Sequence, residues 1–273
     1  MIYLDYNATT PIDKNVYHAM LPYLEAEFGN PSNSYGLGQL ARRAVESARK
    51  QVSELIGAKN SEILFTSCGS ESNNAVIKGV AYTYRNKGKH IITSCIEHPS
   101  IMEPLSFLKK NGYRVTYLPV NQQGAVSPQD LKDAICEETI LVSVMHSNNE
   151  VGTLQPIREL GEICRERDIL FHTDASQSIG KVDINVSQLP VDFLTIAGHK
   201  LYAPKGIGAL FIRDGIEIES FLHGAGQENG RRGGTENVPY IVALGEAAVQ
   251  ARKHLEQNDL MPIRDYFYNQ LKE

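Results

Sequence analysis

From residue 62 to residue 200 the chain repeats one unit, a short apolar run followed by a longer stretch of helical periodicity, and this alternation restricts the folds open to it. Strand-like runs at 62–66, 90–93, 115–118, 140–145, 169–171 and 191–196 punctuate helical patterns at 71–84, 99–110, 128–136 and 157–167. Units of this length require crossover connections, which imply a mainly parallel sheet with helices on both faces. A seventh run, 206–212, follows a short connection and is expected to pair antiparallel. Upstream, 17–28 and 40–56 read as helices around the loop Asn30-Pro31-Ser32-Asn33-Ser34, with Gly57 placed to stop the second. Downstream, a glycine-rich loop at 224–234 leads to helical patterns at 241–254 and 261–271.

A chain of 273 residues can bury a substantial core without covalent staples. The 27 basic and 32 acidic residues leave a net charge of −5 with no dense basic block, so neither nucleic acid nor an anionic membrane is expected as a partner. No apolar run approaches the length of a membrane span, and Met1-Ile2-Tyr3-Leu4-Asp5 lacks the basic and apolar regions of a signal peptide, so a cytoplasmic protein is expected. Cys68, Cys95, Cys136 and Cys164 lie far apart without a C-x-x-C pair, which argues against a zinc site or a dithiol redox motif.

Two residues carry the chemistry. Asp174 follows the run 169–171 in His172-Thr173-Asp174-Ala175-Ser176-Gln177, and Lys200 follows 191–196 in Ala197-Gly198-His199-Lys200. A lysine amine can hold pyridoxal phosphate as a Schiff base, and a carboxylate that keeps the pyridine nitrogen protonated turns the ring into an electron sink. Alone, each residue is an ordinary surface charge or turn residue. Both follow strands, so they can meet along one sheet edge, where open α/β sheets bind ligands.

Other segments gain meaning from that pair. Gly69 and Ser70, in Thr66-Ser67-Cys68-Gly69-Ser70-Glu71, stand between a strand and a helix, where free N–H groups and a hydroxyl can hold a phosphate; the competing reading is a plain helix cap by Ser70. His98, in Glu97-His98-Pro99, can lie on a pyridine ring and move protons, or can simply start a helix. Asn149 and Gln177 offer amide donors to a phenolate oxygen, or serve as polar turn residues.

Taken in order, Leu4-Asp5-Tyr6-Asn7-Ala8-Thr9-Thr10-Pro11, Phe28-Gly29-Asn30-Pro31-Ser32, Phe65-Thr66-Ser67, Glu97-His98, Asn148-Asn149-Glu150-Val151-Gly152, Asp174-Ala175-Ser176-Gln177, Gly198-His199-Lys200 and Gly233-Gly234-Thr235-Glu236-Asn237 resemble the group I (NifS/IscS-type) cysteine desulfurases. That family belongs to the class V aminotransferases of pyridoxal phosphate fold type I. The resemblance runs along essentially the whole chain.

It implies that Lys200 binds the cofactor covalently, Asp174 pairs with the pyridine nitrogen, His98 stacks on the ring, and Asn149 and Gln177 approach the ring hydroxyl. Gly69, Ser70 and His199 would hold the phosphate, joined by Thr235 from the other subunit of a homodimer. The implied reaction converts L-cysteine to L-alanine and leaves sulfur as an enzyme persulfide, for a sulfur-acceptor or scaffold protein in iron–sulfur cluster assembly, tRNA thiolation or another route. Cys68 and Ala197 depart locally from the pattern, standing where members usually have Gly and often have a phosphate-binding Ser. Residues 1–254, with an arm at 1–15, would form the large cofactor domain, and 255–273 the start of a small one whose mobile loop carries the sulfur-accepting cysteine and whose arginine grips the substrate carboxylate. No cysteine here matches that loop cysteine, so the 273 residues alone are expected to be inactive. The alternatives are another class V lyase or aminotransferase, or a shortened protein that binds the cofactor without turnover.

Overall fold

The computed structural model describes residues 2–257 and 260–272. Seven strands form one sheet: β1 (Ile63–Thr66), β2 (His90–Ser94), β3 (Arg114–Leu118), β4 (Thr139–Ser143), β5 (Leu170–Asp174), β6 (Phe193–Ala197) and β7 (Gly208–Ile212). Their spatial order is β1-β7-β6-β5-β4-β2-β3. β3, β2, β4, β5 and β6 are parallel, while β7 pairs antiparallel with both β6 and β1. The mainly parallel arrangement follows from the crossovers, and the short 201–207 connection is what reverses β7.

Alternate residues of each central strand enter different cores, as the two-residue period of a strand requires. Ile63, Phe65, Ile92, Val142, Phe171, Leu194 and Phe211 pack on one face with the buried sides of α1 (Lys14–Glu25), α2 (Gly36–Ile56), α6 (Ile157–Glu166) and α7 (Val238–Gln257). Leu64, Ile91, Leu141, Phe193 and Leu210 pack on the other with α3 (Gly69–Thr83) and α4 (Pro99–Lys110). A fully buried aliphatic or Phe side chain contributes about 1.5–3 kcal/mol, so these layers fix the sheet whose upper edge carries the site. The short α5 (Pro128–Ala134) bridges β3 and β4 in the chain, and α8 (Met261–Lys272) has no buried side chain.

Helix ends follow local chemistry more closely than hydrophobic periodicity. α1 begins at Lys14, not at 17, because the Asp13 carboxylate accepts from the N–H groups of Asn15 and Val16. α2 begins at Gly36 and stops where expected: Gly57 has φ +65°, and a side chain there would collide with Asn185. α3 begins at Gly69 with Cys68 as its N-cap, so Ser70 is inside the first turn and does not cap the helix. α7 runs unbroken through position 254 to Gln257.

Candidate active site

The carboxyl ends of β1, β2, β4, β5 and β6 and the N-terminal arm enclose a cavity of about 600 Å³, within the usual range for small-molecule sites. Gly69, Ser70, His98, Asn149, Asp174, Gln177, His199 and Lys200 all line it. Thr235 does not; it is exposed in the loop before α7.

Asp174 is the last residue of β5 and is nearly buried. Its Oδ1 accepts from the Ser176 N–H (3.0 Å) and hydroxyl (2.6 Å), an Asx-type turn, and its Oδ2 accepts from Asn73 Nδ2 at 2.7 Å. Lys200 closes the single 3-10 turn Gly198–Lys200 that follows β6. Gly198 permits the turn, since a Cβ there would lie 2.8 Å from the Ile207 carbonyl oxygen and side chain. The Lys200 ammonium donates to the main-chain carbonyls of Asn7 and Ala8. Burial pulls its pKa below the ordinary lysine value, while Asp5 and Asp174 oppose that shift. A lysine so placed is more readily the neutral nucleophile that carbonyl capture needs.

The arm is laced to the same turn. Thr10 donates through its N–H (3.0 Å) and hydroxyl (2.9 Å) to the His199 carbonyl, and Thr9 Oγ1 lies 3.2 Å from His199 Nδ1. The His199 imidazole is held below its usual pKa by burial and then by the charges of Lys200, Lys205 and His98. Asn7 also donates to the Asn149 carbonyl at 3.2 Å and accepts at its carbonyl from Gln177 Nε2 at 2.9 Å. Asn149 Nδ2 itself bonds Glu150 Oε1 at 2.9 Å.

At the opposite wall, no side chain caps the start of α3, which leaves first-turn N–H groups for an anion beside Gly69 and Ser70. Gly69 also gives room, because a Cβ there would crowd Ala197 Cβ (3.2 Å) and Ser176 Oγ (3.3 Å). Glu71 braces this turn: Oε2 accepts from the Ser67 N–H at 2.8 Å, and Arg232 forks onto both carboxylate oxygens at 2.8 and 3.1 Å. Burial would raise the Glu71 pKa, but the Arg232 and Ser67 bonds outweigh it and hold the carboxyl below its usual range.

His98 is the N-cap of α4, and its Nδ1 accepts from the Ser100 N–H at 3.1 Å. The neutral ring therefore carries its proton on Nε2. Just before it, Glu97 is buried between Ser94 and the Met145 N–H, and burial pushes its pKa up to about 8.

These residues fit pyridoxal phosphate. The uncapped helix start suits the phosphate, Asp174 suits a pyridinium and Lys200 suits an aldehyde, all on one cavity. The arm carbonyls, Asn73, Ser100, Ser176 and Arg232 had no role in the sequence reading. Of these only Ser176 carried a local signal, as the second residue after an Asp.

A model of the aminotransferase class-V family matches residues 2–271. The cysteine desulfurase IscS of Dictyoglomus turgidum is 51% identical over 276 residues, covering 100% of this chain and 70% of that protein. The IscS of Methanosarcina thermophila is 50% identical over 266 residues, covering 97% and 66%. Among solved structures, a NifS-like protein superposes with a TM-score of 0.92 at 40% identity, covering 94% of this chain and 71% of its own. SspA in complex with cysteine gives 0.89 at 44%, covering 91% and 72%. The chain thus spans about two thirds of the length of these curated relatives.

Proposed function

Because this chain belongs to the aminotransferase class-V family, a family that works with pyridoxal phosphate, we propose that it is the cofactor-binding portion of a cysteine desulfurase. The observation that carries this reading is Asp174 and Lys200 on the neighbouring strand ends of β5 and β6, lining one cavity in a chain half identical to IscS proteins. L-cysteine would lose its sulfur to an enzyme thiolate as a persulfide, and the remaining carbon skeleton would take up a proton and leave as L-alanine.

Bound pyridoxal phosphate supplies an electron sink for the pair left at the substrate α-carbon. The chain's own residues do the rest. Lys200 would anchor the cofactor and could move a proton at the substrate α-carbon when its amine is free; His98 would cover the ring; Asp174 would pair with the pyridine nitrogen. Asn149 and Gln177 serve the ring hydroxyl once their present bonds to Glu150 and Asn7 are exchanged. Gly69, Ser70 and His199 hold the phosphate. The exposed position of Thr235 supports its reaching the phosphate of a second copy in a homodimer.

Residues 1–254 form the large domain in this reading and 255–273 begin a second one, a division supported by the absence of any buried side chain in α8. No described helix is long and apolar enough to cross a membrane. We place the protein in the cytoplasm, handing sulfur to an acceptor or scaffold protein of a pathway such as iron–sulfur cluster assembly.

Treating the chain with pyridoxal phosphate and borohydride should fix the label on Lys200, and label on another lysine would sink the site. With L-cysteine and dithiothreitol as the thiol that reduces a persulfide, the 273-residue chain should bind cofactor yet release neither alanine nor sulfide, whereas a longer form carrying a loop cysteine should release both. Keto acid as product would favour an aminotransferase. Turnover by the short chain that disappears in Cys68→Ser would make Cys68, which lines the cavity, the nucleophile.

A further inference from the structure

Asn73 lies on α3, faces neither solvent nor substrate space, and is fully buried. Its Nδ2 donates to Asp174 Oδ2 at 2.7 Å and to Ser100 Oγ at 2.8 Å. Ser100 Oγ lies 2.8 Å from His98 Nδ1, the atom that already accepts the Ser100 N–H. One unbroken chain of hydrogen bonds therefore runs from the Asp174 carboxylate through Asn73 and Ser100 to the His98 imidazole.

The other end of the amide shows what the residue is there for. Asn73 Oδ1 is buried without a partner, which disfavours the folded state. Turning the amide over to pair that oxygen elsewhere would set its lone pairs against Asp174 Oδ2. The side chain tolerates an unpaired carbonyl in order to place two N–H donors. A residue kept only to fill space in this position would be apolar.

The polarity of the chain follows. Asn73 occupies a lone pair of Ser100 Oγ, so the Ser100 proton is free to point at His98 Nδ1, and the hydroxyl favours an unprotonated Nδ1. We propose that Asn73 is a positioning residue that joins the pyridine-nitrogen partner Asp174 and the ring-stacking His98 into one hydrogen-bonded unit. This rests on the reading of the cavity as a pyridoxal phosphate site. The other titratable groups around His98 are its neighbour Glu97 and, across the cavity, Asp5, Cys68, Glu150, His199 and Lys200.

The test titrates the His98 imidazole by NMR in the cofactor-free chain, and measures cofactor release in the loaded one. In Asn73→Leu, close to the native volume but without donors, both lone pairs of Ser100 Oγ are free and the hydroxyl more readily accepts a proton from the ring. The His98 midpoint should rise by roughly half a unit or more, and pyridoxal phosphate should leave about tenfold faster, as expected for loss of one bond to a charged group. In a Ser100→Ala background, Asn73→Leu should no longer move the His98 midpoint, whereas a general disturbance of packing would move it in both. Asn73→Ser, which is too short to span both partners, provides the same comparison if the leucine variant does not fold. An unmoved His98 midpoint, or an equal shift in both backgrounds, overturns the inference while leaving the cofactor site intact. A parent chain that captures no cofactor at Lys200 overturns both.

Discussion

Arg232 grips Glu71 with two hydrogen bonds, at 2.8 and 3.1 Å, and so ties the glycine-rich loop to the first turn of α3. Glu71 is 8% exposed and Arg232 20%, so the pair is largely shielded from water. Removing the cation strands a carboxylate that burial disfavours. Arg232→Ala should cost about 2 kcal/mol in urea unfolding, short of a fully buried pair but above a surface one. Arg232→Lys should recover less than half of it, since an ammonium cannot fork. A loss within about 0.5 kcal/mol would show that the pair behaves as an ordinary surface contact.

The pH at which Lys200 captures the cofactor should depend on Asp5. Burial lowers the lysine pKa, and the charges of Asp5 and Asp174 hold it up. Asp5→Asn removes one of these, so the neutral amine should appear at lower pH and the midpoint of cofactor capture should fall. The absorbance change on mixing pyridoxal phosphate with the chain, recorded across pH, reads the midpoint directly. An upward movement would mean that Asp5 acts through the arm's geometry and not through its charge.

Glu97 should weaken the fold as pH rises. Its folded pKa of about 8 lies above the unfolded glutamate value of about 4.3, so the native state holds the extra proton between the two. Its stabilising contribution is complete below the unfolded value and is lost as pH climbs through the folded one, by an amount on the order of 5 kcal/mol across the window. His146 and His172, both lowered to about 4 chiefly by burial, act in the opposite direction below pH 6.5. The difference between parent and Glu97→Gln isolates the glutamate. Denaturant midpoints should show Glu97→Gln gaining on the parent from pH 5 to pH 9, and a constant difference would contradict the buried, protonated carboxyl.

What the sequence revealed and what it concealed divide by range. Asp174 and Lys200 follow apolar runs, and their meeting needs only that β5 and β6 be parallel neighbours, which the long helix-free crossover at 175–192 permits. The stop at Gly57 was visible for the same local reason. The start of α1 is equally local, but it is set by the Asp13 cap and not by the apolar period, which begins only at residue 17. No local pattern announces that Lys200 meets the carbonyls of residues 193 and 192 positions away, that Asn73 meets Asp174 101 positions on, or that Arg232 returns 161 positions to Glu71. Such bonds depend on the tertiary layout, and the polar residue types alone are equally at home in turns and caps.

α8 should make the 273-residue chain associate. Ile263, Tyr266, Phe267 and Leu271 are 58–70% exposed, and three- and four-residue spacings gather them on a continuous apolar surface. Because none of them is buried in the large domain, changing them should leave its stability within about 0.5 kcal/mol. Sedimentation velocity should show species larger than the proposed dimer growing with concentration, and Ile263→Glu with Phe267→Glu should remove them without dissociating that dimer if, as proposed, it forms on the Thr235 side of the molecule. If the double variant dissociates the dimer as well, α8 is part of the subunit interface. If it changes nothing, its apolar surface does not drive association.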